Sequence, residues 1–212
     1  QEDCRIDGDQ VIIPPGIKRG ANRRHAGEDI AAGDIILHGG QKLRPQELGV
    51  AASIGRTDIS VYRPLRVALF STGDEICDVG QELPPGCVYD SNRYTVAAML
   101  KSLGCQVNDL GILPDNYAVI ERALDGASGN HDAILTSGGV STGEEDHVRA
   151  AVEELGNIHF WRLAIRPGRP LALGQIRRTP FIGLPGNPVA VMVTFMRLAR
   201  PALLWMAGCT DT

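Results

Sequence analysis

The chain has 212 residues, 43% of them hydrophobic, enough length and apolar content for a full core and more than one simple domain. A formal net charge of −4 excludes a general nucleic-acid binder, whose footprint would be strongly basic. Cys4, Cys77, Cys87, Cys105 and Cys209 are scattered without a Cys-x-x-Cys pair, which reads as reduced thiols in a cytoplasmic protein and not as a disulfide frame or zinc site. No signal peptide is visible, and the longest apolar stretch, 188–195, is too short to span a bilayer. The chain starts without Met and in mid-pattern, as a fragment would.

Residues 1–27 read as β and turn, with Val11-Ile12-Ile13 a strand between the turn chemistries Asp7-Gly8-Asp9 and Pro14-Pro15-Gly16. The polar residues 22–29 read as a solvated loop, and 30–37, with Gly33-Asp34, as a turn leading into a strand. Residues 44–53 form a short helix ended by Gly55. Val61-Tyr62-Arg63-Pro64 is an extended linker, because proline disfavours helix in the residue before it, and a domain boundary falls near Tyr62.

From Leu65 strands and helices alternate. Residues 66–70 are a buried strand followed by Ser71-Thr72-Gly73-Asp74-Glu75, and Asp90-Ser91-Asn92 caps a helix with Val96, Met99, Leu100 and Leu103 on one face. Residues 105–113 are a second strand, and Pro114-Asp115-Asn116 opens a helix. A third strand, 132–135, leads into Thr136-Ser137-Gly138-Gly139-Val140-Ser141-Thr142-Gly143-Glu144-Glu145-Asp146-His147, and Val148, Ala151, Val152 and Leu155 then mark a helix. Such repetition predicts a three-layer α/β/α fold on a mostly parallel sheet, preceded by a smaller β-rich, elongated segment.

The glycine-rich loop sits at a strand's carboxyl end and feeds a helix amino end, where open α/β sheets bind anionic ligands. Gly138, Gly139 and Gly143 let backbone approach an anion, while Ser137, Ser141 and Thr142 add hydroxyls. A plain glycine turn with helix-capping side chains fits the same spacing. The loop is not a P-loop, since no Gly-Lys-Ser/Thr follows. Farther on, 159–165 and 171–175 read as strands joined by a tight turn carrying Arg162, Arg166 and Arg169, whose guanidinium groups suit phosphate; surface pairing with Glu153 or Glu154 is the alternative. A last strand, 181–184, ends in Pro185-Gly186-Asn187-Pro188, a strong helix start, and the helix should kink or end at Pro201. Leu203, Leu204, Trp205 and Met206 make an apolar patch suited to core or interface.

Together Ser71-Thr72-Gly73-Asp74-Glu75, Ser137-Gly138-Gly139-Val140-Ser141 with Gly143 and Asp146, Phe160-Trp161 through Pro170, and Gly183-Leu184-Pro185-Gly186-Asn187-Pro188 resemble the molybdopterin molybdenumtransferase family, of MoeA and gephyrin E-domain type. The resemblance implies an α/β molybdopterin-binding domain at 63–212, part of an elongated dimerisation domain at 28–62 and the end of a β-rich insert domain at 1–27. It implies Glu75, Asp115 and Asp146 as catalytic carboxylates, with Glu75 and Asp146 holding Mg²⁺. Thr72, Gly73, Asp74, Ser137, Gly138, Gly139, Ser141, Gly143, Arg162, Arg166, Arg169, Pro185, Gly186, Asn187 and Pro188 would bind substrate, and Asp29, in the matching Gly27-Glu28-Asp29-Ile30, would lie at a dimer interface.

The implied activity is insertion of molybdenum from molybdate into adenylylated molybdopterin, with Mg²⁺-dependent hydrolysis and release of AMP. A cytoplasmic homodimer that contacts the molybdopterin adenylyltransferase, and neither nucleic acid nor membrane, is implied as well. A non-catalytic molybdopterin-binding scaffold, the adenylyltransferase itself and a nucleotide-pyrophosphate hydrolase are the alternatives on the same sheet. The chain departs from the family in carrying arginine at 162, 166 and 169, where lysine is more usual, and Ala190 where many members have serine. The family's initial segment and carboxyl-terminal β-barrel find no counterpart in these 212 residues, so weak binding and little turnover are expected of them alone.

Overall fold

The computed structural model describes residues 3–140, 146–162 and 164–210, with Trp161 described by its backbone alone. The chain divides into two compact units, Gln1–His38 with Leu43–Thr57, and Gly39–Lys42 with Asp58–Thr212. In the first unit β1 (Arg5–Asp7) and β2 (Gln10–Ile12) form an antiparallel hairpin that turns at Gly8, φ +58°. A two-residue hairpin loop demands that left-handed backbone, which glycine adopts without steric cost. α1 (Pro45–Ser53) begins where the Glu47 carboxylate turns back to accept from the Arg44 amide at 2.8 Å. The Arg44 guanidinium meets the same carboxylate at 2.6 Å and holds its pKa down at about 2. The strand expected within 30–37 is not formed; the segment is turn and irregular backbone. Among the described residues no strand pairs with it, and an extended segment without a ladder leaves its amides to water.

The second unit contains, in chain order, β3 (Arg66–Thr72), β4 (Ile76–Cys77), β5 (Val88–Tyr89), α2 (Ser91–Ser102), β6 (Gln106–Leu113), α3 (Tyr117–Ser128), β7 (Ala133–Ser137), α4 (His147–Leu155), β8 (Gly156–Arg162), β9 (Pro170–Ile176) and β10 (Thr179–Leu184). The main sheet has the order β6-β3-β7-β10-β9-β8. Its first four strands are parallel and the last two close it antiparallel, giving the mostly parallel sheet expected. The short β4 and β5 pair apart from it.

Alternation along the central strands decides which helix covers which face. Val67, Leu69, Ala133 and Leu135 pack with Val96 and Leu100 of α2. Ala68, Phe70 and Ile134 pack with Ile120 and Leu124 of α3 and Val148 and Val152 of α4. Both sets are fully buried, as a parallel sheet covered on both faces requires.

The last helical run corrects two expectations. α5 (Pro188–Thr194), a π-helical turn (Phe195–Ala199) and α6 (Arg200–Met206) form one continuous 19-residue helix through Pro201. The widened turn ahead of Pro201 relieves the ring–carbonyl clash and absorbs the missing N–H, so the helix goes on. By length and composition this run is long and apolar enough to cross a membrane. Val191, Phe195, Ala199 and Leu203 nevertheless lie buried in the same core as Val67 and Leu135. Leu204 is buried too, whereas Trp205 stands exposed.

The linker is clamped to the sheet by Asp132, which takes the Arg63 guanidinium in a two-pronged ion pair at 2.6 and 2.7 Å and accepts from the Arg66 amide at 2.7 Å. The Arg63 hydrogen bonds hold the Asp132 carboxyl at about 2. A depressed folded-state pKa means that this stabilisation is complete above the ordinary carboxylate range and is lost as pH falls through the folded value. Asp132→Asn should therefore lower stability at neutral pH by about 1 kcal/mol, after discounting for the exposed Arg63. In urea denaturation the gap to the parent should close as pH drops from about 4 to 2.

Candidate active site

β3 lies between β6 and β7, so the chain crosses from β3 to one side and from β6 back to the other. The carboxyl ends of β3 and β7 thus flank the topological switch point, where an open α/β sheet leaves a crevice. A cleft of about 210 Å³ opens there, lined by Thr72, Gly73, Glu75, Asp115, Gly138, Gly139, Val140, Pro170 and Gly186. Sequence segments more than a hundred residues apart meet in it.

The glycines permit this closeness. Gly138 has φ +87°, and a Cβ there would stand 2.6 Å from the Thr72 carbonyl oxygen. Its amide donates to the Leu184 carbonyl at 3.3 Å, which ties the exits of β7 and β10 together. At Gly73 (φ +146°) a Cβ would meet the Glu75 carboxylate at 2.6 Å, so Glu75 folds back over bare backbone at the end of β3. The Thr72 hydroxyl is buried with no hydrogen-bond partner among the described residues, as is that of Ser71. Buried hydroxyls seldom go unmatched, and Thr72 faces a cleft a ligand can fill.

Asp115 follows β6 and lines the cleft. Helix capping does not account for it, because Asn116 is the cap of α3 and accepts from the Val119 amide at 3.2 Å. Asp146 caps α4: its Oδ1 accepts from the Arg149 amide at 2.9 Å, while Oδ2 is buried and has no partner among the described residues. Burial pushes its pKa up to about 6; the Arg149 amide and charge oppose the shift, the negative charge of Asp115 adds to it, and His147 opposes it weakly. Asp146 therefore feels the cleft's charge without lining it. Among the described residues no three His, Cys, Asp or Glu side chains lie close enough to share one ion.

The other expected residues fall around this centre. Ser137 is buried at the end of β7, in register with Ser71 and Leu184. Gly186 lines the cleft, Pro185 is buried behind it, and Asn187 caps α5 by accepting from the Val189 and Ala190 amides at 3.0 and 3.1 Å, with Pro188 as the first helical residue. Asp74 is exposed and does not line the cleft. Arg162 ends β8 opposite Pro170, itself a lining residue. Arg166 and Arg169 flank Gly168, which is seated so closely on α5 that a Cβ would reach Thr194 at 2.5 Å. All three arginines are exposed at this border, outside the lining set, and make no ion pair among the described residues. Glu153, their possible partner, pairs instead with Arg149 at 2.9 Å. Ser141 and Gly143 lie outside the described residues. Asp29 lies in the other unit, exposed, accepting from Arg24 at 2.6 Å.

Sequence reasoning missed Val140 and Pro170 as lining residues, and also Asn92, whose Nδ2 donates to the Gly186 carbonyl at 2.7 Å. Asn92 had a signal, since it belongs to the cap read ahead of α2. Its long-range partner had none.

Fold and cleft define an α/β domain with a crevice at its topological switch point. A family model described as a probable molybdopterin binding domain matches residues 68–205, and one described as the MoeA N-terminal region (domain I and II) matches residues 1–55. A molybdopterin molybdenumtransferase from Haemophilus influenzae is 45% identical over 209 residues, covering 98% of this chain and 52% of that protein. One from Nostoc is 36% identical, covering 98% and 49%. The crystal structure of the molybdopterin biosynthesis MoeA protein from Pyrococcus horikoshii superposes with a TM-score of 0.78 at 29% identity, over 98% of this chain and 52% of that one. The chain belongs to the molybdopterin molybdenumtransferase (MoeA) family, and it spans about half the length of the curated relatives it matches.

Asp146→Asn keeps the helix cap and removes a poorly compensated buried charge. The folded-state pKa is raised, so the charge opposes folding above about 6 and not below the unfolded value near 3.8. The variant should be more stable than the parent by about 1–3 kcal/mol in mildly alkaline solution, with the denaturation curves converging below about pH 4. Gly138→Ala should cost about 2 kcal/mol or more, because strain and overlap with Thr72 act together, and a thermal melt reads this directly.

Proposed function

We propose that this chain is the molybdopterin-binding part of an enzyme that inserts molybdenum from molybdate into adenylylated molybdopterin and releases AMP. One observation carries the reading: a switch-point cleft lined by glycine backbone and the Glu75 and Asp115 carboxylates, with a Thr72 hydroxyl that has no partner among the described residues and exposed arginines on the strand and turn that lead to its lining residue Pro170. A ligand with a phosphoanhydride and a dithiolene needs each of these. Backbone amides and guanidinium groups match phosphate oxygens. Carboxylates orient the water that attacks phosphorus.

Mg²⁺ fits the donors present. It is commonly held by one or two carboxylates together with substrate phosphates, so no cluster of three side chains is required, and Asp146 Oδ2, without a partner among the described residues, is a hard oxygen donor. Glu75 and Asp146 would hold it, and when bound it would neutralise charge on the phosphates. Substrate binding is assigned to Thr72, Gly73, Gly138, Gly139 and Gly186 of the cleft lining, and by the family likeness to Asp74, Ser137, Ser141, Gly143, Pro185, Asn187 and Pro188. Arginine at 162, 166 and 169 keeps the positive charge and adds two-pronged geometry.

The assignment of 1–27 to an insert domain, 28–62 to a dimerisation domain and 63–212 to the molybdopterin domain rests on the family likeness. So do a cytoplasmic homodimer with Asp29 at its interface and receipt of substrate from the molybdopterin adenylyltransferase.

The test separates binding from turnover. This chain should take up adenylylated molybdopterin saturably in a calorimetric titration. In a protein extended to its relatives' full length, AMP release should depend on molybdate, and Glu75→Gln should slow it by about 100-fold or more with affinity little changed. Release without molybdate dependence would mark a pyrophosphate hydrolase instead, and binding without release a scaffold.

A further inference from the structure

The first turn of α2 touches both loops that border the cleft. Asn92 donates from Nδ2 to the Gly186 carbonyl at 2.7 Å and so tethers the loop at 185–188. Arg93, the next residue, is buried, and its guanidinium is spread over three carboxylates: Nε donates to Asp90 at 3.0 Å, Nη1 to Asp109 at 2.6 Å and Nη2 to Asp78 at 2.5 Å. Asp78 follows β4 directly and also accepts from the Tyr94 hydroxyl at 3.1 Å. Glu75 precedes β4; its carbonyl accepts from the Val88 amide at 2.9 Å, and the Cys77 carbonyl accepts from the Asp90 amide at 2.9 Å. The segment that carries Glu75 is thus fixed to α2 at its far end by Arg93 and along its length by β5.

Two consecutive side chains on one helix therefore hold two segments that line one cleft. Only a planar fork reaches three carboxylates on a helix cap, a strand and a loop at once; an ammonium group on a flexible stem would not. The carbonyl held by Asn92 belongs to a glycine whose own backbone lines the cleft, so that hydrogen bond sets where the wall stands.

We propose that Asn92 and Arg93 are positioning residues, a two-armed latch that sets the distance between Glu75 and the Gly186 backbone and thereby the fit of the phosphate-bearing ligand. The ligand half of this proposal rests on the function proposed above; the latch itself does not. Hydrogen exchange and ligand affinity test the two halves apart. Asn92→Ala should quicken exchange about five- to tenfold in the amides of Leu184, Gly186 and Asn187 alone, and Asp78→Ala similarly in 75–79 and 88–90 alone. Each variant should weaken calorimetric affinity for adenylylated molybdopterin by about three- to tenfold. Asn92→Asp has the shape of asparagine without its donor and should behave like the alanine variant. Unchanged exchange in both loops, exchange that rises throughout the sheet, or an Asn92→Asp protein indistinguishable from the parent would overturn the latch. Faster loop exchange with undiminished affinity would overturn the positioning role. A parent chain that takes up no ligand would sink the proposed function, and exchange would still decide the latch.

Discussion

Parallel pairing of β3 with β7 is the constraint on which the rest depends. Because β3 is joined to β6 on one side and β7 lies on the other, the connections leave these two strands in opposite directions and cannot cover the space between their ends. That space must be lined by whatever the loops carry. Here the loops carry glycines where backbones touch, as at Gly138 against Thr72, and carboxylates where they part. The apolar strands beneath are buried on both faces, so the edge they present is rigid.

The polar groups at that edge are poorly satisfied by the protein itself. Among the described residues the Thr72 hydroxyl is buried without a partner, and one Asp146 carboxylate oxygen is in the same condition; burial raises the Asp146 pKa. Elsewhere the same fold satisfies a buried charge closely, as Arg93 with three carboxylates illustrates. The contrast is physical. The Arg93 charge is paired within the chain, whereas one Asp146 carboxylate oxygen has no partner among the described residues.

The chain spans about half the length of the curated relatives it matches, and the cleft lies in its second unit. The first unit is sparsely packed by comparison. Among its described residues only Glu47 and Ala51 are buried, and Ile6, Val11, Ile13, Ile17 and Ile35 stand exposed. Its ordered features are local ones, a glycine-turned hairpin and a helix held by Arg44 and Glu47.

The sequence by itself determined what is local. Short runs located the strands of the main sheet, Asp90-Ser91-Asn92, Pro114-Asp115-Asn116 and Asn187 marked helix starts, and the order of elements implied a parallel sheet. Each of these follows from side-chain chemistry within a few residues. What failed was non-local: 30–37 had the composition of a strand and no partner, and Pro201 should have broken a helix that a π-turn carried past it. Only the tertiary structure decided that Asp115 was released to the cleft by Asn116, that Arg162, Arg166 and Arg169 border it without lining it, and that Asn92 reaches Gly186. Those outcomes depend on strand order and helix packing, which bring together residues far apart in sequence and leave no periodic trace along the chain.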